Sequence, residues 1–171
     1  MIQKFLTPVV FLFLSACTSL PDGVEPVSNF ELQRYTGKWY EIARIENRFE
    51  KGLEKVTATY ELQDDGSVLV VNRGFDVKNQ AWKEAKGRAV FVGDSDIGHL
   101  QVSFFGPFYS SYVIFDLDTT AYSSAYVAGY NKEYLWFLSR KFNVSETEIA
   151  RFKQTAQKLG FDLSTLVYPR H

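Results

Sequence analysis

The chain has 171 residues, with 19 Lys plus Arg against 20 Asp plus Glu, a formal charge of -1. That is a single-domain length, and with no basic excess to neutralise phosphates it argues against a nucleic-acid partner. Aromatic residues make up 16% of the chain while Pro supplies only 5 residues and Met 1, a balance that favours strands over helices.

Residues 1–16 differ from everything after them. A short start with one cation, Lys4, precedes the apolar run from Phe5 to Leu14. That run is about half of the ~20 residues a spanning helix needs. Ser15, Ala16 and Cys17 follow, completing the three-part pattern of a secretory signal, so residues 1–16 are set apart from the fold. Cys17 is the only cysteine, and Leu14-Ser15-Ala16-Cys17 resembles the lipobox of bacterial lipoproteins. The resemblance implies cleavage before Cys17 and its lipidation. Three acyl chains would anchor durably, since a single chain holds only marginally. Thr18, standing where a retention signal would place Asp, favours the outer membrane, with the domain facing the periplasm. Residues 17–28 (CTSLPDGVEPVS) read as a short tether, and residues 29–171 as the folded domain.

From Gly37 onward, short β-rich stretches alternate with turn residues. Strands are predicted at about 37–46, 54–62, 67–76, 81–92, 98–105, 109–118, 122–130 and 134–142. Asp64-Asp65-Gly66, Gly93-Asp94 and Asn131-Lys132 supply turn chemistry between them. Eight consecutive strands with tight connections predict an all-β, eight-stranded antiparallel up-and-down barrel, because closure removes the sheet edges. One helix stands apart. Ser145 and Glu148 form a capping box, Ile149, Phe152, Ala156 and Leu159 share a face, and Gly160 ends it. Its apolar face must pack outside the barrel. A short final strand is predicted at 163–168.

Strand alternation separates an inside from an outside. Val56, Ala58 and Tyr60 share one face, as do Tyr134, Trp136 and Leu138; Ala85, Gly87, Ala89 and Phe91 stand opposite Glu84, Lys86 and Arg88. Small residues on an inward face leave room for a ligand. On this parity, the expected ligand-binding residues are Ala58, Tyr60, Val70, Asn72, Tyr112, Tyr134, Trp136 and Leu138.

Gly37-Lys38-Trp39-Tyr40-Glu41, opening the first strand, and Ser139-Arg140, ending the eighth, resemble the lipocalins, in particular their bacterial outer-membrane lipoprotein branch. Together with Val102 to Tyr109 and Glu54 to Tyr60, the resemblance spans about residues 29–168. It implies a lipocalin barrel closed at one end by Gly37, Trp39 and Arg140, with the guanidinium across the indole. The family's middle Thr-Asp-Tyr block is here Leu117-Asp118-Thr119, so only the aspartate matches.

Strand one runs away from that closed end, so loops 47–53, 77–80, 105–109 and 130–133 gather at the opposite mouth. Phe105, Phe108 and Tyr109, with Phe104, bracket Gly106-Pro107 there and predict an apolar mouth patch. Arg48, Lys51, Lys78 and Lys132 near the same rim can meet an anionic headgroup or stand solvated.

Enzyme readings rank low. His99 and His171 are the only histidines, and no nucleophile elbow, phosphate loop or zinc-binding helix motif occurs. No catalytic residue, metal or cofactor is expected. Two functions remain. The first is an anchored binding protein that holds fatty acids or lysophospholipids for storage or transport in the envelope. The alternative is a structural envelope lipoprotein with a filled barrel acting through protein contacts. Whether two barrels pair as a homodimer is left open by the sequence.

Overall fold

Alternating apolar and polar side chains resolve into strands that close on themselves. The computed structural model describes residues 18–171. Cys17 and residues 1–16, expected as a signal segment, lie outside the described residues. A short helix α1 (Leu32–Tyr35) leads into β1 (Gly37–Ile45), β2 (Leu53–Leu62), β3 (Val68–Asp76) and β4 (Ala81–Phe91). Then follow β5 (His99–Phe105), β6 (Phe108–Leu117), β7 (Ser124–Ala128), β8 (Leu135–Ser139), helix α2 (Glu146–Lys158) and β9 (Leu166–Val167). All sheet neighbours are antiparallel, in the order β2-β3-β4-β5-β6-β7-β8-β1-β9, and an added β1–β2 pairing closes the barrel. β1 bonds β2 over its first residues and β9 at Arg44 and Ile45, so the final strand lies outside the closed ring.

The predicted strands are all present, with β7 and β8 several residues shorter than expected. α1 was not anticipated. Its Leu32 and Tyr35, with Phe30, are buried in the inner apolar cluster and plug the closed end.

α2 forms as its capping box dictates: Glu148 N–H donates to Ser145 Oγ, and Ser145 N–H donates to Glu148 Oε2. Gly160, at φ +78°, reverses the chain, and Phe161 N–H donates back to Ala156 O. The buried face of the helix carries Phe152 and Ala156. Phe152 packs edge-on to Tyr126 at 5.0 Å and stacks with Phe137 at 5.2 Å, on the outer wall made by β7, β8, β6 and β1. The molecule thus has two apolar clusters, one inside the barrel and one between barrel and helix.

Residues 18–28, expected as a tether, are laid along the barrel. Ser19 Oγ donates to the Tyr130 carbonyl at the mouth end. Val24 is buried in the outer cluster, and Val27 bonds both Ile114 and Gly98 near the closed end.

Candidate functional site

One end of the barrel is sealed by β1, α1 and the residue after β8. The Arg140 guanidinium carbon lies 4.0 Å from the Trp39 ring centroid. Its nitrogens donate to the carbonyls of Lys38, Arg34, Thr36, Tyr35 and Tyr122, tying α1 and the β6–β7 connection to the barrel floor. Trp39 is fully buried, and its indole N–H donates to Tyr35 O at 2.8 Å. Gly37 has φ +89°, and a Cβ there would stand 3.5 Å from Arg140 Nη1. Asp118, which alone matched the middle motif, accepts from the backbone N–H groups of Thr120, Ala121 and Ser123, so the turn is organised by the residue that matches.

Above this floor, three tyrosine hydroxyls converge: Tyr112 bonds Tyr35 and Tyr60, each at 2.7 Å. Burial pushes all three pKa values up, so the hydroxyls stay protonated and the chain of bonds stays neutral. Ala58, Tyr60, Val70 and Leu138 lie buried in the inner cluster, with Tyr112 and Trp136 partly buried against it. Asn72, paired with Ala58 across β2–β3, has a buried Oδ1 without a hydrogen-bond partner. Tyr134 lies further out, stacked with Trp136 at 6.1 Å and next to Tyr130 at 5.5 Å, and it borders an outer hollow. Seven of the eight predicted lining residues are therefore brought together, and Tyr134 stands at the edge.

Two details depart from the parity argument. Ala85 is exposed, because β4 pairs with β5 only from Arg88 to Phe91 and its first half projects beyond the closed wall. At Gly87, the Phe104 ring occupies the space: a Cβ there would meet it at 2.8 Å. The room left by the missing side chain is filled from the neighbouring strand.

Sequence reasoning missed a buried charged cluster near the mouth. Glu41 shares the inward parity of Trp39, and a register shift in β1 between Glu41 and Ala43 brings Arg44 to the same side, so both are buried. Arg44 Nη1 donates to Glu41 Oε1 at 2.8 Å, Nε and Nη2 donate to Glu46, and Nη2 donates to the Glu50 carbonyl. Trp136 Nε1–H donates to Glu50 Oε2 at 2.9 Å, fastening the β1–β2 loop over the lumen. Burial raises the Glu41 pKa well above the usual carboxylate range, and the nearby Glu50 adds to it against the pull of Arg44. Burial opposes the Arg44 charge, yet Glu41 and Glu46 outweigh it and leave its pKa raised. The inward direction of Glu41 follows from Trp39 two residues before it, whereas only the bulge brings Arg44 to the same side.

At the mouth, Phe105 and Phe108 pair across the β5–β6 turn and stand 72% and 71% exposed. Tyr109 is half-buried, its hydroxyl 3.5 Å from Arg88 Nη1. Phe104 turns inward instead. Two hollows of about 400 and 440 Å³ lie at the β1–β2/β7–β8 loops and at the β2–β3 turn, outside the lumen. His99 Nε2 is 3.2 Å from Ser111 Oγ, and burial lowers its pKa. Among the described residues no group of His, Cys, Asp and Glu is arranged to hold a metal ion.

A lipocalin-like domain model matches residues 30–171. The outer membrane lipoprotein Blc of Vibrio cholerae is 49% identical over 157 residues, which cover 92% of each chain. The Escherichia coli K12 protein of that name is 45% identical over 155 residues, covering 90% of this chain and 87% of that one. Among solved structures, insecticyanin from the tobacco hornworm Manduca sexta has a TM-score of 0.69 at 19% identity, over 88% of this chain and 86% of that one, a likeness of fold. An eight-stranded barrel sealed by Trp39 and Arg140, a helix packed outside it and a match over residues 30–171 agree: the chain belongs to the lipocalin-like family.

Proposed function

We propose that the protein is a lipoprotein of the bacterial outer membrane, anchored through acylated Cys17 on the periplasmic side, that holds a single-chain lipid in its barrel. The relatives above carry outer membrane lipoprotein as their name, which supports the location. The observation that carries the binding role is the inner face itself. It is an apolar cluster sealed at one end by Trp39 and Arg140, with Trp136 and Tyr112 partly buried against it.

A fatty acid or lysophospholipid fits this chemistry. Each methylene taken out of water is worth about 0.8 kcal/mol, so a long chain binds usefully even after the cost of association. The polar head stays at the mouth, where water and the rim cations meet it. No bond is made or broken: the mechanism is capture by burial, serving storage or transport in the envelope.

Native mass spectrometry of the protein taken from the envelope tests this. A bound mass of one lipid per barrel is the expected result, and a bare protein mass, unchanged after incubation with lysophosphatidylethanolamine, overturns it. The same spectrum reports whether two barrels pair.

A second reading has its own observations. The Phe104 ring over Gly87 and the Tyr35–Tyr112–Tyr60 chain place the protein's own side chains in the lumen. They favour a structural lipoprotein with a filled barrel, which the bare mass would support.

A further inference from the structure

We infer that the mouth loops form a bilayer-docking rim, so that the barrel opens directly onto the membrane surface that anchors it. The inference rests on the anchoring proposed above and not on which lipid fills the lumen.

Three observations converge. The exposed large apolar side chains are unevenly distributed. Leu20, Phe49, Val77, Trp82, Phe105 and Phe108 lie at the mouth, against Leu62 and Phe142 near the closed end and Tyr168 just after β9 on the outer wall. Phe105 and Phe108 share the β5–β6 turn, Val77 and Trp82 flank the β3–β4 turn, and Phe49 and Leu20 stand on two further segments, so the apolar side chains are spread around the rim. Val77 N–H donates to the Gly52 carbonyl, bringing the β3–β4 turn beside the loop that carries Phe49, itself 59% exposed. Trp82, covered by Arg73 at 4.2 Å, adds an amphipathic indole of the kind that settles at headgroup level.

Charge follows the same axis. Arg48, Lys51, Lys78 and Lys132 rim the mouth, and the ion pairs among the described residues involve other cations. Glu133 is held there by Asn131, and Glu46 by Arg44. The closed-end turns carry Asp64, Asp94 and Asp96, with Asp65 held by Arg88 and with Lys38 and Lys141 nearby, so the cationic excess is on the mouth side.

The chain path supplies the third observation. Ser19 is bonded to Tyr130 in the β7–β8 loop at the mouth. Two residues reach at most about 7 Å, so acyl chains on Cys17 hold this loop against the membrane. The nine residues of β1, tilted as barrel strands are, set the closed end roughly 20 Å farther off. An anchor beside the mouth and apolar tips around it leave one orientation.

The test uses the full lipidated protein in vesicles of phosphatidylethanolamine with a minor fraction of phosphatidylglycerol. Cys17 is the only cysteine, and acylation removes its thiol, so a thiol-reactive fluorophore reports single introduced sites. Labels at Phe105→Cys and Val77→Cys should shift to the blue, be quenched by brominated lipid and lose severalfold in iodide quenching. A label at Asp64→Cys should behave as in water. In F49S/F105S/F108S, whose changed residues are all exposed, the Val77→Cys label should return toward water.

Equal iodide access at both ends overturns the inference while leaving lipid binding in the lumen untouched. Shielding that persists in detergent and ignores brominated lipid assigns the rim to a second copy of the chain, and also overturns it. Labelling of the parent protein at Cys17 shows an unacylated thiol and removes the anchoring on which the inference rests.

Discussion

Arg140 lies over the Trp39 indole at 4.0 Å while donating to five backbone carbonyls, so one side chain covers the hydrophobic floor and satisfies the polar atoms around it. The pair joins the start of β1 to the residue following β8, the two ends of the ring that must meet. A planar guanidinium does this because its donors lie in one plane and its face stacks.

Arg140→Ala should therefore cost about 2–4 kcal/mol, most of it from carbonyls left without donors. Arg140→Lys should recover the charge but only part of the stability, since an ammonium cannot reach the same set. Urea denaturation of the two variants against the parent measures this, and equal midpoints for Lys and Arg would refute the role of the fork.

Glu41→Gln should flatten the dependence of stability on pH. The Glu41 pKa lies well above its ordinary 4.5 because of burial first and Glu50 second. The folded state therefore binds the proton more tightly than the unfolded chain. The resulting stability is full below about 4.5 and is lost as pH rises through the folded value. Thermal melts from acid to neutral pH should show the parent falling along that limb and the variant falling less.

Gly87→Ala should destabilise by about 1–3 kcal/mol, because its Cβ would meet the Phe104 ring at 2.8 Å and the Ser103 carbonyl at 2.9 Å. In a Phe104→Ala background the cost should shrink without vanishing, since the carbonyl remains. A double-mutant cycle reads the difference directly.

Trp136 should report lumen occupancy. Of the three tryptophans, Trp39 is sealed in the floor and Trp82 lies on the outer surface, leaving Trp136 on the inner face. A fatty acid brominated along its chain should quench the protein's emission, and Trp136→Phe should abolish most of that quenching. Quenching that survives in Trp136→Phe and disappears in Trp82→Phe would place the lipid outside the barrel.

Much of this architecture is legible in the sequence, and the reasons are local. A capping box is two residues three apart, and Ser145 with Glu148 needs no distant partner to make it. Side-chain alternation has a period of two, so Ala58 and Tyr60, or Trp136 and Leu138, declare a shared face within their own strand. What was not legible depends on pairing. Ala85 follows the parity of Gly87 and Ala89 but lies where β5 has already left β4. Arg44 has the outward parity of Tyr40 and Ile42, and only the shift in β1 buries it beside Glu41.

The amino-acid order alone determined an all-β chain of eight strands and one capped helix, because hydrophobic period, turn chemistry and capping act over a few neighbouring residues. Tertiary structure alone decided that Phe104 fills the space above Gly87, that Glu50 bonds Trp136 across 86 positions, and that Ser19 rests at the mouth. These follow from register, bulges and closure, which bring together residues far apart in sequence, and no local pattern records which of them will meet.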